Sequence, residues 1–298
     1  MLKAGNFCLA VRRPLLMGII NITPDSFSDG GDCFVLGKAL QRAWQHYRDG
    51  ADLIDLGAES TRPGSLPVSV QEEKKRLEPV LRALSNFPLP ISVDTTKPEV
   101  MDLALHYGAS MINDINALQT PGAIEVAQKS NAAFCLMHKK GEPKTMQNQP
   151  FYEDVVTEVC HFLAERTRAL QEAGIARNRI VLDPGFGFGK TLEHNWTLLE
   201  HLPSLCRLGF PVLVGLSRKS MLKALGAAKN PANRLLPSLQ AAQIAAVKGA
   251  HIFRVHDVGY TWLALRNLNQ GRVSCANISV PTAFAAGSAS FQSHRNSS

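Results

Sequence analysis

The chain has 298 residues, 45% of them hydrophobic and 19% charged, which is enough for one large domain and short of two well-sized ones. No apolar stretch reaches the roughly 18 residues of a membrane span, and the run at 15–20 is too short for a signal core, so a cytoplasmic protein is expected. The 32 Lys and Arg against 25 Asp and Glu give +7, which alone does not choose among nucleic acid, a membrane surface and a small anion, but the basic residues are scattered in short groups such as Arg12-Arg13 and Lys139-Lys140, which argues against a nucleic-acid partner.

In chain order, short apolar runs alternate with helix-length amphipathic segments, the pattern of parallel strands buried on both faces. The runs fall at residues 15–20, 52–56, 91–93, 111–112, 133–137, 180–182, 212–216 and 252–255. Helices are predicted at 70–84, 98–107, 152–173, 192–208, 233–248 and 260–269, and several end at a glycine (Gly50, Gly108, Gly174, Gly209, Gly249) that accepts a left-handed conformation. Eight strand-helix units in a chain of this size predict an α/β fold, a single (β/α)8 TIM barrel of eight parallel strands over residues 1–276. Losing the short fourth strand would leave a doubly wound sheet instead. Residues 277–298, rich in Ala and Ser and without a strand or helix period, are expected to form a disordered tail. Six scattered cysteines with no C-x-x-C pair support neither a zinc site nor a disulfide framework.

The runs end on polar residues: Asn21, Asp55 with Gly57 and Glu59, Asp94, Asn113, His138, Asp183, Ser217-Arg218-Lys219, and Arg254 with His256. In a (β/α)8 barrel the C-terminal strand ends open onto the active-site face, so these groups converge on one mouth. Polar residues also follow strands merely to cap turns, a role open to Asp114, Asp257 and Thr95. The segment 183–191 is no phosphate loop, because Pro184 stands where glycine is required, and no dinucleotide fingerprint, because Lys190 takes the place of the third glycine. Its glycines would let the backbone approach a flat ligand, with Phe186 or Phe188 as an aromatic wall or else packed in the core. An ionised Asp183 can accept from an exocyclic amine and a ring N–H together, as a pterin edge presents them, while Asn113 can donate and accept on neighbouring ring nitrogens. The 215–220 stretch with its two cations, and the pair Arg254 and His256, suit anions.

Two long segments carry a family resemblance. MGIINITPDSFSDGG at 17–31 and GADLIDLGAESTRPG at 50–64 resemble the two signatures of the dihydropteroate synthase family of pterin-binding barrels. Similar matches continue at 93–95, 112–114, 137–138 with Gly141 and Met146-Gln147, 183–190, 217–220 and 254–257, so the likeness covers about residues 15–269. Pro237 replaces a usual glycine at a helix start, and Lys139-Lys140 replaces a more neutral pair.

The resemblance implies a condensation of a pterin pyrophosphate with p-aminobenzoate, with Mg²⁺ near Asn21 and a homodimeric enzyme. It implies that Asp94, Asn113, Met137, Asp183, Phe188 and Lys219 hold the pterin, and that Asn21, Arg62, Arg254 and His256 hold the diphosphate. Thr61, Pro63, Phe188, Lys219 and Ser220 would border the p-aminobenzoate, and a loop with Asp25, Phe27 and Asp29 would close over it. The chemistry is a displacement at a methylene carbon on an electron-rich ring, so Asp94 is expected to face a developing cation while the cations and Mg²⁺ take the leaving group. A folate-dependent methyltransferase could share the pterin pocket but would need no diphosphate site.

Overall fold

The computed structural model describes residues 1–22, 31–59, 67–141, 145–226, 230–266 and 268. It opens with a hairpin absent from the predicted elements, β1 (Leu2–Ala4) and β2 (Phe7–Leu9), whose strands are too short to show a period. A two-residue turn at Gly5-Asn6 joins them, and Gly5 takes the positive φ of 57° that such a turn requires.

Eight parallel strands follow: β3 (Leu15–Asn21), β4 (Leu53–Gly57), β5 (Ile91–Asp94), β6 (Met111–Asp114), β7 (Ala133–Met137), β8 (Ile180–Asp183), β9 (Leu213–Val214) and β10 (Ile252–Val255). They are ordered β8-β7-β6-β5-β4-β3-β10-β9. A parallel bridge from Leu182 to Val212, with the Leu182 N–H donating to the Pro211 carbonyl at 2.9 Å, joins the two ends. The ring closes, and the doubly wound alternative falls. The short fourth run is a full strand, β6, paired on both sides, whereas the run at 212–216 is ordered as only two residues.

The outer layer comprises α1 (Gly31–Arg48), α2 (Val70–Ala83), α3 (Pro98–His106), α4 (Ala123–Gln128), α5 (Val155–Glu172), α6 (Leu192–Glu200), α7 (Leu202–Cys206), α8 (Leu235–Val247) and α9 (Val258–Arg266). Local chemistry sets the boundaries. Ser69 caps α2 by accepting from Glu72 N, and Asp154 caps α5, so the helix predicted from 152 starts later. Tyr152 is buried instead, donating to the Gly189 carbonyl at 2.9 Å. The single helix expected at 192–208 divides at His201, because Pro203 suits a first turn and not a helix interior.

Side-chain alternation divides the interior into two sets. Leu16, Ile20, Ile54, Leu56, Val93, Ile112, Phe134, Leu182 and Phe253 belong to the main core shared with the helices. Leu15, Met17, Leu53, Met111, Ala133, Cys135, Val181, Leu213 and Ile252 fill the barrel itself, and Leu2 and Ala4 of the hairpin join them with no exposed surface. Burying each large aliphatic side chain contributes roughly 1.5–3 kcal/mol, so the lower barrel is a packed stopper and not a channel. The expected tail at 277–298 lies outside the described residues.

Candidate active site

Two residues further along five of the strands, the same inward face carries a charged or amide side chain. Leu53 is followed by Asp55, Ser92 by Asp94, Met111 by Asn113, Val181 by Asp183 and Ile252 by Arg254. Because alternation has period two, all of these side chains point into the barrel above the apolar stopper. Strand register sets Asp94 beside Asn113, and Met137 beside Asp183. Gly57, between Asn21 and Asp94, contributes no side chain; a Cβ there would stand 3.7 Å from Asn21 Oδ1 and 3.7 Å from the Asp94 Cβ.

Arg254 lies between two carboxylates. Its Nε donates to Asp55 Oδ2 at 2.6 Å and its Nη2 to Asp94 Oδ2 at 2.9 Å, while Asn113 Nδ2 donates to Asp55 Oδ2 at 3.4 Å. Burial works against the guanidinium, but Asp55 and Asp94 more than offset it and hold its proton more tightly than usual. The second oxygens, Asp55 Oδ1 and Asp94 Oδ1, are buried with no hydrogen-bond partner. Burial pushes Asp94 up to about 7, opposed by Arg254 and assisted by Asp55. Asp183 is also raised by burial; Gly185 N donates to its Oδ1 at 2.7 Å and, with Lys219, works against that rise. Lys219 is pulled down to about 8 by burial, with Asp183 opposing.

The glycine loop after β8 forms the adjoining wall. A Cβ on Gly185 would lie 1.9 Å from the His138 carbonyl oxygen, and one on Gly189 would lie 2.1 Å from that of Lys140. These glycines therefore serve backbone-to-backbone contact with the segment after β7, not the approach to a ligand expected from the sequence. Phe186 is packed in the core, while Phe188 has the Lys219 ammonium 4.4 Å from its ring centroid. Lys219 Nζ also donates to the Phe186 carbonyl. Lys190 is buried against the same loop, donating to the carbonyls of Gly185 at 3.0 Å and Phe188 at 3.1 Å, and meeting His138 Nδ1 at 2.9 Å. Burial lowers Lys190 to about 7 and His138 to about 3, so that imidazole is neutral and has a structural part.

The strand-end cations are less free than the sequence implied. Arg218 forms a fork with Asp257, at 3.0 and 2.7 Å, so it is not available as an anion-binding cation, and Asp257 does more than cap a turn. Asp114 does cap one, accepting from the N–H groups of Asn116 and Leu118 at 2.7 and 2.8 Å. His256 Nδ1 is 3.0 Å from Ser217 Oγ. Ser220 opens a short 3-10 helix, Ser220–Leu225.

The structure thus brings Asn21, Asp94, Asn113, Met137, Asp183, Phe188, Lys219, Ser220, Arg254 and His256 to the C-terminal ends of the strands and the loops that follow them. Asp25, Phe27, Asp29, Thr61, Arg62 and Pro63 lie outside the described residues. Asp55, given no role from the sequence, is the fully buried partner of Arg254. Its signal was an acid inside an apolar strand run, which burial forbids without a partner. A groove of about 710 Å³ at the other end of the barrel is lined by Gly5, Phe7, Leu103 and Ser110 among others, and its charged residues Lys74, Asp102 and Lys129 are not buried.

The closed barrel gathers carboxylates, an amide and two cations at its mouth, and its class is that of the pterin-binding enzymes, because the model of the family described as pterin binding enzyme matches residues 17–256. The dihydropteroate synthase of Haemophilus influenzae is 49% identical over 261 residues, 87% of this chain and 94% of the relative. The Xanthomonas albilineans dihydropteroate synthase solved with 4-aminobenzoic acid matches with a TM-score of 0.83 at 47% identity, covering 88% of this chain and 94% of that one. The Burkholderia cenocepacia enzyme complexed with 7,8-dihydropteroate matches at 0.82 and 46%, covering 90% and 95%. The chain belongs to the pterin-binding enzymes and, within them, to the dihydropteroate synthase family.

Proposed function

We propose that the chain condenses 6-hydroxymethyl-7,8-dihydropterin pyrophosphate with p-aminobenzoate, giving 7,8-dihydropteroate and pyrophosphate in folate biosynthesis. The observation that carries this reading is the buried inward set Asp94, Asn113 and Asp183, with half-buried Lys219 beside it, a pattern of acceptors and donors above an apolar floor that suits a flat, amine-bearing heterocycle. Asp183 accepts from the exocyclic amine and ring N–H, Asn113 pairs with neighbouring ring nitrogens, and Met137 and Phe188 flank the ring. The methylene C–O bond breaks with its electron pair leaving on pyrophosphate. The amine nitrogen of p-aminobenzoate then supplies the pair for the new C–N bond and releases a proton. Asp94, with one buried oxygen unpartnered, stabilises positive charge spreading into the pterin.

Arg254 keeps Nη1 without a hydrogen-bond partner among the described residues, and with His256, Asn21 and Arg62 it receives the diphosphate. The described residues contain no group of three or more His, Cys, Asp or Glu that could hold a metal. A hard cation that keeps its waters and takes phosphate oxygens needs only one or two protein oxygens, and the Asn21 amide offers one, so the donor set fits Mg²⁺ arriving with its substrate. Bound there, Mg²⁺ would offset charge on the leaving group. Thr61, Pro63, Ser220 and the segment with Asp25, Phe27 and Asp29 complete the p-aminobenzoate side.

The enzyme is read as a cytoplasmic homodimer. No helix among the described residues is long and apolar enough to cross a membrane, and Leu236 of α8 with Tyr260 and Leu263 of α9 expose apolar surface for a second copy. Light scattering that gives a monomer mass would overturn the dimer. The reaction itself is tested by pyrophosphate release: it should require both substrates and Mg²⁺, and no release with either pair of concentrations raised would reject the function.

A further inference from the structure

Ser217 and Lys219 flank a residue that has been given no part in the reaction. Arg218 has a φ of 60°, in the left-handed region that a residue with a Cβ enters only at a cost. Its backbone and its side chain are both held. The N–H donates to Ser238 Oγ at 2.9 Å, and the carbonyl accepts from Arg234 Nη1 at 2.9 Å. The guanidinium donates through Nε and Nη2 to the two oxygens of Asp257, at 3.0 and 2.7 Å. Ser238 Oγ in turn donates to the Arg234 carbonyl at 2.6 Å, so the two anchors brace each other. Arg234 caps α8, Ser238 lies in its first turn, and Asp257 follows β10.

A left-handed residue fixed at its N–H, its carbonyl and its side chain is over-determined by its surroundings, and such strain persists where the direction of the chain matters. Here the residue before it meets His256 through Ser217 Oγ at 3.0 Å, and the residue after it sends Lys219 to the Phe186 carbonyl and the Phe188 ring. We propose that Arg218 is a positioning residue whose clamped turn aims Ser217 at His256 and Lys219 at the pterin wall, so that one residue sets the contacts to both halves of the pterin pyrophosphate. The same clamp gives a purpose to the Arg234 to Ser238 helix start, in which Pro237 occupies a position that makes none of these bonds. The inference rests on the reading of this mouth as a pterin pyrophosphate site.

The alternative is that the fork only fastens the loop after β9 to the segment after β10, which would change stability and nothing else. Arg218→Ala and Arg218→Gly, made in the full-length enzyme, separate the two. Both lose the fork, but glycine relieves the left-handed backbone and alanine does not, so the glycine variant should melt higher. The KM for pterin pyrophosphate should nevertheless rise about tenfold in both, because misplaced groups cost binding wherever the melting point lies. Arg218→Lys, which keeps the charge without the planar fork, should fall between them and the wild type. Wild-type KM in the alanine and glycine variants, with only their melting changed, overturns the proposal. Should neither fold, Asp257→Asn breaks the fork while leaving both backbone bonds of Arg218, and a wild-type KM there overturns it equally. A wild-type enzyme that releases no pyrophosphate would instead reject the reaction, so the two failures are distinct.

Discussion

At the lower end of the barrel the inward positions are Leu15, Met17, Leu53, Met111, Val181 and Ile252, sealed by Leu2 and Ala4, whereas at the upper end the same strands present Asn21, Asp55, Asn113, Asp183 and Arg254. The change occurs over two residues, from Leu53 to Asp55 or from Ile252 to Arg254, with no change of strand, face or direction. The lower set stabilises by leaving water. The upper set costs stability, as the raised Asp94, the lowered Lys219 and the unpartnered oxygens of Asp55 and Asp94 record. A barrel can hold such a site because the stopper beneath it offsets what the buried charges lose.

If that division is right, single substitutions should separate stability from activity according to height in the barrel. The largest effect is expected for Arg254→Met. Removing the one cation between Asp55 and Asp94 leaves two buried carboxylates facing each other and should cost about 3–5 kcal/mol in denaturant unfolding, together with pyrophosphate release. A variant of wild-type stability would show that the pair is not held by Arg254. Leu53→Ala, two residues from Asp55, should cost about 2–5 kcal/mol of stability through the cavity it leaves. Its kcat/KM per folded molecule should stay unchanged, and a fall in kcat/KM well below the melting range would erase the boundary between the two halves.

A smaller, pH-dependent effect follows from Asp94. A carboxyl whose folded pKa lies above its unfolded value favours the folded state at low pH, and that contribution is lost as pH climbs from 3.8 through about 7. Asp94→Asn removes it. Melting of both proteins from about pH 4 to about pH 8 should therefore show the stability difference moving in favour of the mutant, and a difference independent of pH would contradict the burial cost assigned to Asp94. The smallest effect is expected from removing residues after Val280, which carry no apolar period with which to join a core. Melting several degrees lower in the truncated chain would show that the segment joins the core.

Much of this was legible in the sequence, and the gaps have physical causes. Eight apolar runs and the polar residues behind them located the mouth, because parallel strands buried on both faces are long enough to read. The hairpin was not readable, since Leu2–Ala4 and Phe7–Leu9 are three residues each. Asp55 was visible as an anomaly but not as a partner of Arg254, which lies 199 residues away and meets it only when the ring closes. Arg218 read as a free cation, and only the fold shows Asp257 in front of it. The glycines at 185 and 189 signalled a close approach, which was expected to be to a flat ligand, and in the fold they lie against the neighbouring backbone.

The upper half of the barrel is held to recognise the pterin through Asp183, and calorimetry of pterin pyrophosphate binding to Asp183→Asn tests this most directly. The asparagine oxygen can still accept the Gly185 N–H now at 2.7 Å, so the loop and the melting temperature should be preserved. Its NH₂, however, faces two pterin donors where a carboxylate accepted both, and binding should weaken by about 2–4 kcal/mol. A folded Asp183→Asn that binds the pterin pyrophosphate as tightly as the wild type would contradict the account.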